Sequence, residues 1–180
     1  MRAVSLLFQR RGGPSAVSRV SSTKECTFLR VEENIQLMLR WFQEVWNEGK
    51  TETIHELLAP DAIAIGQLED RKELRGATEF VSFVSNLRAT FPDIKIKVED
   101  VFGADDRVVL RWSATMTTMT HSGNQQGTPA TAKVVEVTGI TIARIRDGKI
   151  VEGWDSWDQL GMMKQVGAYV SAQPTLLKSA

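Results

Sequence analysis

The dipeptide Asp147-Gly148 stands between two runs of alternating apolar and polar residues, at 134–145 and 149–158. A two-residue connection of this kind forms a type I′ turn. Both of its central residues take positive φ, and its twist matches that of the strands it joins. The two runs are therefore predicted to be adjacent antiparallel strands. Successive side chains on a strand point to opposite faces, so Val151, Gly153, Asp155 and Trp157 should share one face of the second strand. An acid on a face with Val, Gly and Trp is either a satisfied structural group or a catalytic one.

Upstream of the hairpin the pattern divides in two. From Val31 apolar residues recur at helical spacing (Ile35, Met38, Phe42, Val45, Trp46), and Gly49 is a suitable stop. Thr51 can cap a short second helix that Pro60 ends, with a short strand at 61–65 and a polar loop at 66–75 after it. Phe80, Phe83, Val84, Leu87 and Phe91 make one stripe of a third helix over 76–91. The period then changes to two. Strands are expected at 94–102, 107–120, 134–145 and 149–158, with a longer loop at 121–132 and a last helical turn at 160–166. Helices first and a strand meander afterwards is an α+β order. Long twisted strands curl, and the third helix can plug the concave side. The expected fold is a cone-shaped α+β barrel, with three N-terminal helices packed on a curved, mainly antiparallel sheet, and Asp155 inside it.

The bulk numbers exclude several classes. With 180 residues, 42% of them apolar, the chain suits one domain with a real core. Formal net charge is zero, which gives no nucleic-acid footprint. One cysteine and two histidines give no sign of a disulfide framework or a metal centre. No apolar run approaches the ~18 residues a membrane span needs. Arg2, Arg10, Arg11, Arg19 and Lys24 make residues 1–24 basic and acid-free. Residues 1–30 are thus set apart as a basic leader: a transit peptide, a disordered extension or a start placed too far upstream. A cytoplasmic location is expected, or an organellar one if the leader is a transit peptide. The domain is expected over 31–167, and 168–180 as a flexible tail.

Several segments, taken in order, resemble one family. They are Trp46-Asn47-Glu48-Gly49, Phe91-Pro92-Asp93, Asp106-Arg107-Val108-Val109 with Arg111-Trp112, Thr120-His121-Ser122-Gly123 with Gly127, and 144–154 followed by Asp158, Leu160-Gly161 and Val166-Gly167. Together they are similar to the SnoaL-like polyketide cyclases, also called predicted ester cyclases, of the nuclear-transport-factor-2-like cone fold. The resemblance covers roughly 31–167. It implies a cofactor-free enzyme, with no metal, whose single aspartate in the last strand is the general acid/base. That position falls on Asp155. A polar partner of the acid on the neighbouring strand falls on Thr141.

A carboxyl facing an apolar cone has its charged form destabilised, which suits a group that takes and returns a proton. Trp157, Val151, Phe80 and Leu87 are expected as pocket walls, and His121 at the loop entrance as a contact at the mouth or a solvated turn residue. Arg111 and Arg144 are expected to pair across strands with Glu136, Glu152 or Asp158. The expected partner is a small apolar carbonyl compound, with a homodimer and neither nucleic acid nor membrane. The alternative is a non-catalytic binding or dimeric scaffold module of the same fold.

Overall fold

The structure, a computed structural model, describes residues 16–67, 73–120 and 131–167. His121 and the tail from 168 lie outside the described residues. Helix α1 runs Ala16–Trp41 and continues as a wider π-helical turn, Phe42–Asn47. After it come α2 (Thr51–Leu57), strands β1 (Leu58–Ile65) and β2 (Leu74–Arg75), and α3 (Gly76–Thr90). Four strands complete the sheet: β3 (Lys95–Ala104), β4 (Arg107–Thr120), β5 (Thr131–Arg146) and β6 (Lys149–Trp157). Helix α4 (Gln159–Val166) ends the described chain.

The strands form one mixed sheet in the order β2-β1-β6-β5-β4-β3. Only the β1–β6 pair is parallel, because the helices of the first half deliver β1 to the free edge of the hairpin. Asp147 and Gly148 have φ of 51° and 71°, the paired positive values of a type I′ turn. The α+β cone is as expected, and the last helical turn expected at 160–166 is the helix α4.

Several boundaries differ from expectation, among them the start of β5 at Thr131 rather than Val134. The first helix starts at Ala16, ahead of Val31, because residues 16–30 carry no apolar stripe to mark it. The second helix stops at Leu57, and Pro60 lies within β1. The β1–β6 register breaks between Leu58 and Ile63, so the missing N–H of Pro60 interrupts no regular ladder. Strand β2 falls in the segment expected to be loop, as a two-residue partner of Ile63 and Ala64.

One core lies between the helices and the concave face of the sheet. Trp41 and Trp46 pack on Phe80 with ring centroids 5.1 and 5.7 Å apart, which locks α1 and its π-helical turn onto α3. From the sheet, Val108, Leu110, Val135 and Ala143 complete the core.

Candidate active site

The middle of the concave face is organised in rows across β4, β5 and β6. One row is Leu110, Thr141 and Asp155; the next is Trp112, Gly139 and Trp157. Asp155 is thus turned inward, opposite Thr141. Thr141 Oγ1 donates a hydrogen bond to Asp155 Oδ1, and Gln67 Nε2 donates to Asp155 Oδ2. Trp112 Nε1 donates to Thr141 Oγ1 over 3.0 Å.

Gln67 belongs to the turn that leaves β1. It reaches the acid because Gly66, with φ of 90°, lies flat against the backbone of Asp155. Sequence reasoning missed Gln67, since it stands in a polar stretch with no period. Gly66 immediately before it was the available signal.

A cavity of about 150 Å³ opens beside the acid. Phe42 and Trp46 of the π-helical turn, Phe83 and Leu87 of α3, Met116 and Val137 of the sheet, Trp157, and Met162 of α4 line it. Gln67 and Asp155 stand at its polar end. Asp155 is the one titratable side chain among the described residues that line it. Behind the acid is a space of about 30 Å³, lined among others by Phe80, Thr141, Ile150 and Gly153, with Gln67, Trp46 and Asp155 shared between the two. That is room for about two water molecules.

Asp155 is half-buried by surface area because one side faces the cavity, yet the space it faces is lined almost wholly by apolar side chains. Burial therefore dominates its acidity. Its carboxyl is pushed up to about 7 by desolvation, against the opposing pull of the hydrogen bonds from Thr141 and Gln67. A group that titrates near neutrality exchanges a proton readily in either direction.

The expected site residues do not all converge. Trp157 and Leu87 line the main cavity; Phe80 and Thr141 line the space behind the acid. His121 lies outside the described residues.

Val151, expected as a pocket wall, lines neither cavity. Ile145 pairs with Ile150 and Arg144 with Glu152, so Val151 is an extra residue, a β-bulge. The bulge turns Ile150 inward, while Val151, packed against the edge of the core, lines a separate groove with Asp61, Arg144 and Glu152. Arg144 forms the expected cross-strand pair with Glu152, at 2.9 Å. Arg111 is exposed on the outer face, and its charge acts on Glu99 instead.

Among the described residues no group of three or more His, Cys, Asp or Glu side chains is placed to hold a metal ion, and no helix is long and apolar enough to cross a membrane.

Known proteins with the same pattern bear on this geometry. The family model of SnoaL-like polyketide cyclases matches residues 36–166. Aklanonic acid methyl ester cyclase DauD of Streptomyces sp. (strain C5) is 31% identical over 130 residues, which is 72% of this chain and 80% of that protein. Aklanonic acid methyl ester cyclase DnrD of Streptomyces peucetius is also 31% identical over 130 residues, covering 72% of this chain and 88% of its own length. Among solved structures, IdmH from Streptomyces antibioticus superposes with a TM-score of 0.61 at 30% identity, over 74% of this chain and 98% of that one.

Proposed function

The chain belongs to the SnoaL-like polyketide cyclase family, and from that premise we propose that it closes a ring by acid/base catalysis on a small, neutral carbonyl compound held beside Asp155. The observation that carries this reading is the isolation of the acid. One carboxyl, balanced near neutrality, stands at the polar end of an otherwise apolar cavity.

The chemistry is an intramolecular aldol-type closure. The Asp155 carboxylate takes a proton α to a carbonyl, and the C–H electron pair becomes the enolate. The enolate carbon attacks a second carbonyl carbon of the same molecule, forming the C–C bond and leaving an alkoxide. The proton on Asp155 passes to that alkoxide. The sequence is redox-neutral, expels no group and returns Asp155 to its starting state. Leu87, Trp157 and Met116 supply surface that folds the chain of the substrate into a near-attack geometry. Gln67 and Thr141 hold the carboxylate in one orientation.

A cavity filled by side chains would favour the scaffold alternative; the open one favours a ligand. We also assign a homodimer through the outer face of the sheet, where Ile140 and Ile142 are 46% and 37% exposed. Sedimentation of the wild type against Ile140→Lys checks that assignment.

The acid/base role is tested by Asp155→Asn with a neutral polycarbonyl ester, aklanonic acid methyl ester being the first to try. A fall in kcat of about 10²–10⁴-fold with binding retained is expected. Turnover equal to the wild type removes the role.

A further inference from the structure

A third side chain reaches the acid through Thr141. Trp112 on β4 lies directly opposite Gly139 on β5, and a Cβ on Gly139 would fall 2.3 Å from Cζ2 of the indole. The missing side chain lets the ring lie across β5. Its Nε1 then meets Thr141 Oγ1, two residues further along, with both residues buried.

The chemistry of the three groups fixes the direction of the hydrogen bonds. An indole N–H only donates, and a hydroxyl has one proton and two acceptor sites. Thr141 accepts from Trp112 and spends its single proton on Asp155 Oδ1. If Oδ1 were instead to carry a proton toward Thr141, the Thr141 hydrogen would lose Asp155 Oδ1, the acceptor it meets among the described residues, and a buried donor left without an acceptor is costly. Oδ2 has no such constraint. Its partner is an amide, which donates through Nε2 to a carboxylate and, rotated half a turn, accepts through Oε1 from a carboxylic acid.

We propose that Trp112 is a positioning residue for Asp155: through Thr141 it commits Oδ1 to accepting a hydrogen bond, so that the proton Asp155 gains and returns is carried on Oδ2, facing Gln67. That this proton is the one moved in catalysis rests on the cyclase reading; the relay itself does not.

The charged groups of the surrounding elements do not compete. Arg111 and Asp158 line one groove on the outer face, and Asp61, Arg144 and Glu152 another. From α1 and its π-helical turn, Arg40 and Glu44 pair with each other, and Arg40 also with Glu56. On α3, Arg88 is held by the main-chain oxygens of Trp46 and Asn47, and Glu79 accepts from the N–H of Arg75. None of these side chains, nor Lys164 of α4, lines either cavity.

The test is a pH titration of the Asp155 carboxyl carbon by NMR, without substrate, in Trp112→Phe, Thr141→Val and the double variant. Each single change should raise the midpoint by about one unit, a tenfold gain in proton affinity. Trp112→Phe in the Thr141→Val background should add nothing further. The side-chain amide signals of Gln67 should move with the same midpoint. Should Trp112→Phe not fold, benzothienylalanine at position 112 removes the N–H and keeps the ring.

An unchanged midpoint in the single variants, or a Trp112 effect that persists without the Thr141 hydroxyl, overturns the relay. A Gln67 amide indifferent to pH overturns the assignment to Oδ2. Because the readout needs no turnover, the relay can fail while the Asp155→Asn result still supports the cyclase, and the reverse.

Discussion

Gly66 lies so close to Asp155 that a Cβ built on it would stand 1.9 Å from the main-chain oxygen of the acid. That approach joins the end of β1 to β6 and aims Gln67 at the carboxylate. Gly66 also holds φ of 90°, where L residues are strained. Gly66→Ala is expected to cost at least about 1–3 kcal/mol from conformation alone, with the steric clash in addition. It should also withdraw Gln67 from the acid. Urea unfolding measures the first effect. The second appears as a higher titration midpoint for Asp155, since a hydrogen bond that favours the carboxylate is lost.

The acidity of Asp155 links activity to stability in opposite directions. Burial raises its carboxyl from the ordinary 3.8 to about 7 in the folded chain. Between those two pH values the folded state holds a proton that the unfolded state has released, so stability falls as pH rises through the interval and levels off above it. The loss is on the order of a few kcal/mol. Asp155→Asn, which stays neutral, should unfold with much less dependence on pH over this range and be more stable than the wild type at pH 8. The rate should run the other way, with kcat/KM rising toward a plateau as the carboxylate forms near pH 7. Thermal melts and rate profiles from pH 4 to 9 check both halves. A wild type as stable at pH 8 as at pH 5 would count against the raised acidity.

Much of this site is legible in the residues because its logic is local. Asp147-Gly148 sets the strand phase, and the phase turns Asp155 and Trp157 inward. What the sequence does not disclose is tertiary. The bulge at Val151 breaks the alternation, and nothing in the composition of 149–152 marks it. Phe80 carries the right spacing for the cone, but Trp41 and Trp46 hold it deep behind the acid rather than at the wall of the main cavity. Gln67 depends on how closely two backbones approach. Pro60 reads as a helix stop, and only the irregular register of β1 makes room for it in a strand.

Asn47 forms a second long-range support of the cavity. β3 is an edge strand, and the Asn47 side chain satisfies both main-chain groups of Ile96, accepting from its N–H at 2.7 Å and donating to its carbonyl at 2.8 Å. The π-helical turn that carries Phe42 and Trp46 is thereby fixed to the sheet. Asn47→Ala removes two partly buried hydrogen bonds and should cost about 1–3 kcal/mol. Asn47→Asp keeps the acceptor but faces a carbonyl with a charge, so it should not recover the loss. Denaturant midpoints of the two variants decide this.

Helix α4 uses the same device on β5. β6 stops at Trp157, paired with Gly139, so the part of β5 before that point lacks a neighbour on this side. Gln165 takes the place of a strand: its Oε1 accepts from the N–H of Glu136 at 3.0 Å and its Nε2 donates to the Glu136 carbonyl at 2.6 Å. Asp158 caps the helix by accepting from the N–H of Gly161 at 2.7 Å. Met162 then forms one wall of the cavity. Gln165→Ala should loosen α4 without opening the core, since no residue of the helix is fully buried. The expected result is a small loss of global stability, under about 1.5 kcal/mol, with a several-fold rise in KM and little change in kcat. Amide exchange confined to 159–167 would accompany it. A fall in kcat with KM unchanged would instead place α4 in the chemistry rather than in holding the substrate.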